Sequence, residues 1–362
     1  LLHHLKDFLA QLLQLPDLDL TFFCSCTISF LFLKSLIQII TVSFNLILFI
    51  YAAALIRLYI KQFLLYALPG FTIFFRCIPG FFIGLHVSFI WQYLAYFQDF
   101  LILTVLLNSK TAFFHPKDKD GNFIEPFDYR FSGGIGARDA YDENNGWTYR
   151  WDVQHNMADL INLMGGRENF ARNLDQTFAE PMGRGKREFY TQLPDQTGNI
   201  GQFTMANEPS LHIPYLYNYA GQPWKTQKRV RQVLKTWFRN DVMGIPGDED
   251  GGGLTSFVVF SSIGFYPVTP GFPSYNIGSP LFSNVKVTLP NGRIFEIDAE
   301  NCSDENKYIQ SATLNGKPLD QPWFTHDDIK DGGKLVLVMG RHPNKAWGAD
   351  KKAAPPSADI EK

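Results

Sequence analysis

The chain changes chemistry near residue 108, and no single fold accounts for both sides of that boundary. Up to Lys110 there are four acids, Asp7, Asp17, Asp19 and Asp99, and no glutamate, although the whole sequence holds 35 acids. Leu20 to Leu33, Leu36 to Leu55, Phe63 to Phe75 and Phe81 to Leu107 are nearly continuous apolar runs. Several approach or exceed the ~20 residues that cross a hydrocarbon core. Read literally, this is a membrane segment, with Lys34, Arg57, Lys61 and Arg76 at loops or snorkelling ends, too closely spaced to fix an orientation. A signal peptide is one short apolar stretch followed by small residues, and this region is several times too long. The other reading is translation upstream of the true start or out of frame, which yields Phe, Leu and Ile with few caps or turns. The membrane-like and mistranslated readings of residues 1 to 107 stand side by side.

Charge excludes one class of partner. With 33 basic against 35 acidic residues and a pI near 6.5, the chain is no dedicated nucleic-acid binder. Cys24, Cys26, Cys77 and Cys302 form neither a disulfide framework nor a zinc spacing.

From Asn108 onward Gly, Pro, Trp and Tyr are dense, as in a globular protein. Residues 118 to 147, DKDGNFIEPFDYRFSGGIGARDAYDENNGW, read as one long loop. Its Asp118-Lys119-Asp120-Gly121-Asn122 start looks like a calcium loop, but the EF-hand pattern needs Gly at Phe123 and Glu at Tyr129, so a surface turn is expected. WDVQHNMADLINLMGG reads as a helix closed by Gly165-Gly166. In QPWKTQKRVRQVLKTWFRND, Pro223 opens a helix. Val230, Val233, Leu234, Trp237 and Phe238 line one face, leaving Lys225, Lys228, Arg231, Lys235 and Arg239 mostly to water. SLHIPYLYNYAG and LTSFVVFSSIGF are apolar around most of their circumference, as buried inner helices would be. After Tyr266 the period becomes two: Val285, Val287 and Leu289 alternate, Asn315-Gly316 marks a hairpin, and Leu335 to Val338 form an apolar run. The polar, proline-bearing end, residues 348 to 362, reads as a disordered tail.

Three polar clusters interrupt these elements: DENNGWTYRW (142–151), GQFTMANEPSLH (201–212) and GIPGDEDGGG (244–253). Acids at helix starts complement exposed N–H groups, so Asp248 or Asp250 alone reads equally well as a cap. Three acids together exceed what one cap needs. Glu208 has a similar explanation as a first-turn acid, His212 as a core histidine, and Trp147, Tyr149 and Trp151 as core aromatics. Aromatic faces beside carboxylates are also how proteins hold sugars, and the clusters together point to a carbohydrate site.

On ENNGWTYRWDVQHNMADLINLMGG, NEPSLHIPYLYNYAGQPWKTQ and GIPGDEDGGG followed by FVVFSSIGFYPV, the chain from about Asn108 to about Trp347 resembles the calcium-dependent exo-α-mannosidases of glycoside hydrolase family 92. The resemblance covers only the C-terminal part of that family's length. It implies a mainly α fold: a partial (α/α)6 toroid at residues 108 to 270, a β-rich module at 271 to 347, and the tail. It also implies hydrolysis of terminal α-mannosides, of N-glycan or mannan type, with inversion. Glu143 then matches the general acid, and Asp248 and Asp250 match the acids that activate water; Glu249 between them is structural. Ca2+ is implied on the mannose O2 and O3 hydroxyls, with Asn207, Glu208 and Gln202 as its ligands. Trp147, His155, His212 and Glu208 are implied in binding substrate, and a periplasmic, secreted or outer-surface location is expected. Ala206 replaces a frequent Gly, Asn156 a frequent Asp after His155, and Leu211 a frequent His, changes that mark a different linkage preference. The rival expectation is an inactive, membrane-fused remnant with weak sugar binding.

Overall fold

The computed structural model describes residues 105–130, 140–141, 144–183, 197–247, 249 and 251–357. The chain divides into units Leu1–Ser88 and Phe89–Lys362, and every described residue lies in the second. The apolar runs through residue 104, with both readings made of them, fall outside the described residues. Among the described ones, no helix is long and apolar enough to cross a membrane.

The described part opens with a short hairpin, β1 (Leu107–Asn108) and β2 (Phe113–Phe114), in the register Leu107↔Phe114. Beyond it, Asp118 turns its carboxylate onto its own loop, accepting the N–H groups of Asp120 and Asn122 at 2.9 Å each. That is the expected surface turn. Helix α1 (Gly146–Tyr149) is capped by Asn145, and helix α2 (Met157–Leu163) by Asn156. The Asn156 cap starts α2 six residues later than the Trp151 beginning that its sequence suggested. Helix α3 (Arg167–Thr177), unmarked in the sequence reading, buries Phe170, Ala171 and Leu174. A second small hairpin follows, β3 (Asn199–Ile200) with β4 (Phe203–Thr204).

SLHIPYLYNYAG was expected to form one buried helix. It forms two 3-10 segments instead, the first begun just before it, Glu208–Ser210 and Ile213–Asn218. Pro209 and Pro214 each sit in a first turn, and each removes an N–H donor and turns the residue before it away from a continuous α-helix. The burial expectation holds, since Ile213 through Asn218 are all buried.

Helix α4 (Pro223–Trp237) follows its periodicity, burying Val230, Val233 and Leu234, each worth about 1.5–3 kcal/mol. Arg231 departs from the expectation of water. It is buried, donating from Nε to Ser279 Oγ at 3.0 Å and from Nη2 to Cys302 Sγ at 3.2 Å. Helix α5 (Gly253–Ile263) is one-sided among the described residues: Leu254 and Phe257 are buried, while Val259 is 59% exposed.

The C-terminal strands are β5 (Phe265–Tyr266), β6 (Ser274–Ile277), β7 (Asn284–Thr288), β8 (Ile294–Glu300), β9 (Tyr308–Leu314), β10 (Lys317–Pro318), β11 (Trp323–Thr325) and β12 (Gly333–Gly340). One sheet runs β10-β9-β12-β8-β7 and another β11-β6-β5. Central β12 pairs antiparallel with β9 and parallel with β8, putting Leu335, Leu337 and Met339 against Phe295, Ile297 and Ile309. Phe265, Ile277 and Phe324 of the smaller sheet join the same core. The β9–β10 turn is Asn315-Gly316, with φ of 52° and 77°, the left-handed pair that a two-residue hairpin needs. The helices share a separate core, and α5 lies between the two, with Phe257 in one and Phe260 and Ile263 against the other. Helix and strand share the described residues about equally, and the apolar, helical character expected of residues 1 to 107 falls outside them up to residue 104.

The terminal segment corrects the expectation of disorder as far as Ser357. Trp347 is buried with Nε1 on the Leu319 carbonyl at 2.8 Å, and Trp323 Nε1 donates to the Ala353 carbonyl at 3.2 Å. Ser357 Oγ then accepts the Ala158 N–H at 2.9 Å in the first turn of α2. Polar composition suggested a free tail, but backbone carbonyls and one hydroxyl supply enough partners to hold it.

Candidate active site

The three polar clusters, far apart in sequence, meet in the structure. Asn145 accepts the Trp147 N–H on Oδ1 at 3.0 Å, which starts α1. That cap orients its amide nitrogen toward Gln202 Oε1 and the Arg130 carbonyl, each at 3.1 Å. Beside it, Asn144 Nδ2 points at Asn207 Oδ1 at 3.4 Å. Gln202 is held in turn by its own Nε2 on the Pro181 carbonyl at 2.7 Å. Asn144, Asn145, Gln202 and Asn207 are all buried, so these amides form a fixed polar wall joining the first cluster to the second.

The third cluster closes on the second through glycine. Gly247 has φ +68°, and a methyl group there would come within 2.5 Å of the Ala206 Cβ. Only glycine allows both the turn and this approach. At the start of α5, a methyl group on Gly253 would lie 3.2 Å from Glu208 Cγ, so the Glu208 side chain packs directly against that helix end.

Glu143, Asp248 and Asp250 lie outside the described residues. Glu249 is described, and it is a helix cap: Oε2 accepts the Gly252 N–H at 2.7 Å, and Oε1 accepts the Thr255 N–H at 2.9 Å and the Thr255 hydroxyl. The Thr255 hydroxyl and N–H hold its carboxyl below the usual glutamate range.

His212 is buried, with both ring nitrogens engaged. Nε2 faces the Trp151 carbonyl at 2.8 Å and so carries the proton, and Nδ1 accepts from Gln154 Nε2 at 3.3 Å. Burial lowers its pKa below the ordinary value, outweighing the Trp151 carbonyl and Asp152, so the ring is neutral. His155 is exposed in the turn that leads to α2. Trp147 is 5% exposed and meets Phe113 edge to face at 4.8 Å.

Among the described residues, no group of three or more His, Cys, Asp or Glu is arranged to hold a metal. The donors near the wall are oxygens all the same: the Glu208 carboxylate and the amide oxygens of Asn207 and Gln202, the chemistry that a hard cation takes. Sequence reasoning named the ENNGW stretch but not Asn144 and Asn145 individually. The signal for Asn145 was available, as an Asn directly before Gly-Trp at a helix start.

Residues 95–341 match the glycosyl hydrolase family 92 catalytic domain. Over 218 residues the chain is 35% identical to an uncharacterized secreted glycosidase of Arthroderma benhamiae, covering 59% of this chain and 26% of that one. A family 92 α-mannosidase from Bacteroides thetaiotaomicron, solved with mannoimidazole, is similar at 33% identity and a TM-score of 0.65, over 70% of this chain and 33% of that one. A family 92 inverting mannosidase from the same organism is similar at 36% identity and a TM-score of 0.60, over 72% of this chain and 35% of that one. The chain thus spans about a quarter of the curated relative and a third of the solved enzymes. It shares the fold of those enzymes over the matched part and belongs to glycosyl hydrolase family 92.

Proposed function

We propose that this chain carries part of the active site of an exo-acting α-mannosidase that hydrolyses terminal α-mannosides, of N-glycan or mannan type, with inversion. The observation that carries the reading is the junction of the three motif clusters through Asn144–Asn207, Asn145–Gln202 and Gly247–Ala206. Glu143 directly precedes Asn144 in the chain, and Asp248 and Asp250 flank Glu249. In this reading Glu143 protonates the leaving glycosidic oxygen, and Asp248 or Asp250 takes a proton from water. An inverting pair stands roughly 6.5–9.5 Å apart to admit that water. Capping by Glu249 agrees with this division, because it leaves its two neighbours unneeded for the helix start.

Asn207, Glu208 and Gln202 would hold calcium, which supplies a hard Lewis-acidic contact to the sugar hydroxyls when bound. Glu208 and the exposed His155 would meet the sugar directly, and Trp147, buried against Phe113, would back the site from behind. His212, whose ring nitrogens are both engaged, would act by fixing the Trp151–Gln154 turn. A secreted or cell-surface setting suits such substrates, and the Arthroderma relative is described as secreted.

The test is hydrolysis of an aryl α-mannoside by the full chain, with the released anomer followed by NMR. Release of β-mannose, abolished by chelator and by Glu143→Gln, is the expected result. Mannose binding without turnover would leave the inactive-remnant reading standing, and chelator-insensitive turnover would remove the metal role.

A further inference from the structure

Arg150, directly after α1, is completely buried, with 0% exposure. Its Cζ lies 3.9 Å from the ring centre of Phe113, 4.9 Å from that of Trp151 and 5.5 Å from that of Trp147. Aromatic faces attract a cation, but they do not replace acceptors for its five N–H groups. Among the described residues, Nε, Nη1 and Nη2 of Arg150 have no hydrogen-bond partner.

The neighbouring hydroxyls of Tyr129 and Tyr141 are already engaged. The Tyr141 hydroxyl donates to the Phe114 carbonyl. The Tyr129 hydroxyl is bonded to His115 Nδ1 at 2.7 Å and to Thr111 Oγ1 at 3.0 Å. Asp152 is exposed and uses Oδ1 on Gln154. Burial lowers the Arg150 pKa to about 9, which still leaves the group charged at neutral pH. A buried charge without a counter-charge is among the costliest features a fold can hold, and water would satisfy donors without neutralising it.

We propose that the Arg150 guanidinium binds a small monovalent anion, of halide size, beside the rings of Phe113, Trp147 and Trp151. Arg150 is buried among aromatic side chains, so the ligand must be small and cheaply dehydrated. Its partners are the in-plane N–H groups of the guanidinium, whose faces lie over the aromatic rings. Bound there, the anion neutralises the charge and fixes α1 and Trp147 against the β1–β2 hairpin. The inference is independent of the mannosidase reading.

The experiment compares thermal unfolding of the full chain in chloride, bromide and gluconate at matched ionic strength, alongside Arg150→Met. The expected result is a saturable rise of several degrees in the wild-type midpoint with either halide over gluconate, absent in Arg150→Met. Because that variant can fail to fold, bromide-soaked wild-type crystals give a second measurement, with an anomalous peak expected within hydrogen-bonding distance of the Arg150 nitrogens. No halide-specific shift in the wild type would overturn the proposal. So would an ordered water or a protein carboxylate in place of bromide.

Discussion

Asn145 Nδ2 donates to Gln202 Oε1 across 3.1 Å, linking residues 57 apart in sequence at the wall of the candidate site. The same side chain caps α1 through Oδ1. The two jobs can be separated. Asn145→Asp keeps the capping acceptor and loses the donor to Gln202, whereas Asn145→Ala loses both. Loss of the cap costs about 1 kcal/mol, and the stranded Gln202 oxygen adds about 1–3 kcal/mol. Urea denaturation should place both variants below wild type, Asn145→Asp also setting a buried carboxylate against the Gln202 and Arg130 oxygens, with mannoside turnover reduced in both. Equal turnover in Asn145→Asp and wild type would show that the Gln202 contact does not position the site.

Asn156 caps α2 and pairs with Asp159 in the same turn. Its Oδ1 accepts the Asp159 N–H at 3.3 Å while its Nδ2 donates to Asp159 Oδ2 at 2.7 Å. An Asp at 156 would set two carboxylates against each other in a buried turn. Asn156→Asp should therefore cost about 2 kcal/mol, the range of a hydrogen bond to a charged group, and adding Asp159→Asn should recover most of it. A double-mutant cycle with no coupling would contradict this pairing.

What the sequence made legible was local chemistry. Helix α4 followed from the spacing of Val230, Val233 and Leu234, and the β9–β10 hairpin from Asn315-Gly316. Burial of Arg231 was not legible, because its partners Ser279 and Cys302 lie 48 and 71 residues away. The same limit applies to the site. Each polar cluster was visible alone, but their junction depends on contacts such as Asn144–Asn207, spanning 63 residues. The 3-10 path of Glu208–Ser210 and Ile213–Asn218 is encoded by Pro209 and Pro214, a signal that the surrounding apolar pattern masks.

Glu249 gives a pH signature. Its bonds to Thr255 and Gly252 favour the ionised carboxylate and hold its folded pKa below the unfolded one. Its contribution is then fully present above the unfolded carboxylate pKa and lost as pH falls through the folded value. Glu249→Gln should lower the unfolding midpoint at neutral pH, and the gap from wild type should close as the solution is acidified below the ordinary glutamate range. A gap that stays constant with pH would mean that the ionised cap is not what stabilises α5.

His212 has a related but separate pH signature. Desolvation lowers its folded pKa below the unfolded value near 6.5, so the neutral ring is the form that fits between the Trp151 carbonyl and Gln154. Stability from this group is full above the unfolded pKa and declines as pH falls from there toward the folded value. His212→Gln offers a donor and an acceptor without titrating, so its stability should change less than the wild type's on acidification below pH ~6.5. His212→Phe leaves the Trp151 carbonyl without its donor, and should cost about 1–3 kcal/mol at neutral pH. Imidazole NMR should report the Nε2–H tautomer at neutral pH; a ring that stays protonated above its unfolded pKa would reverse the sign and remove this assignment.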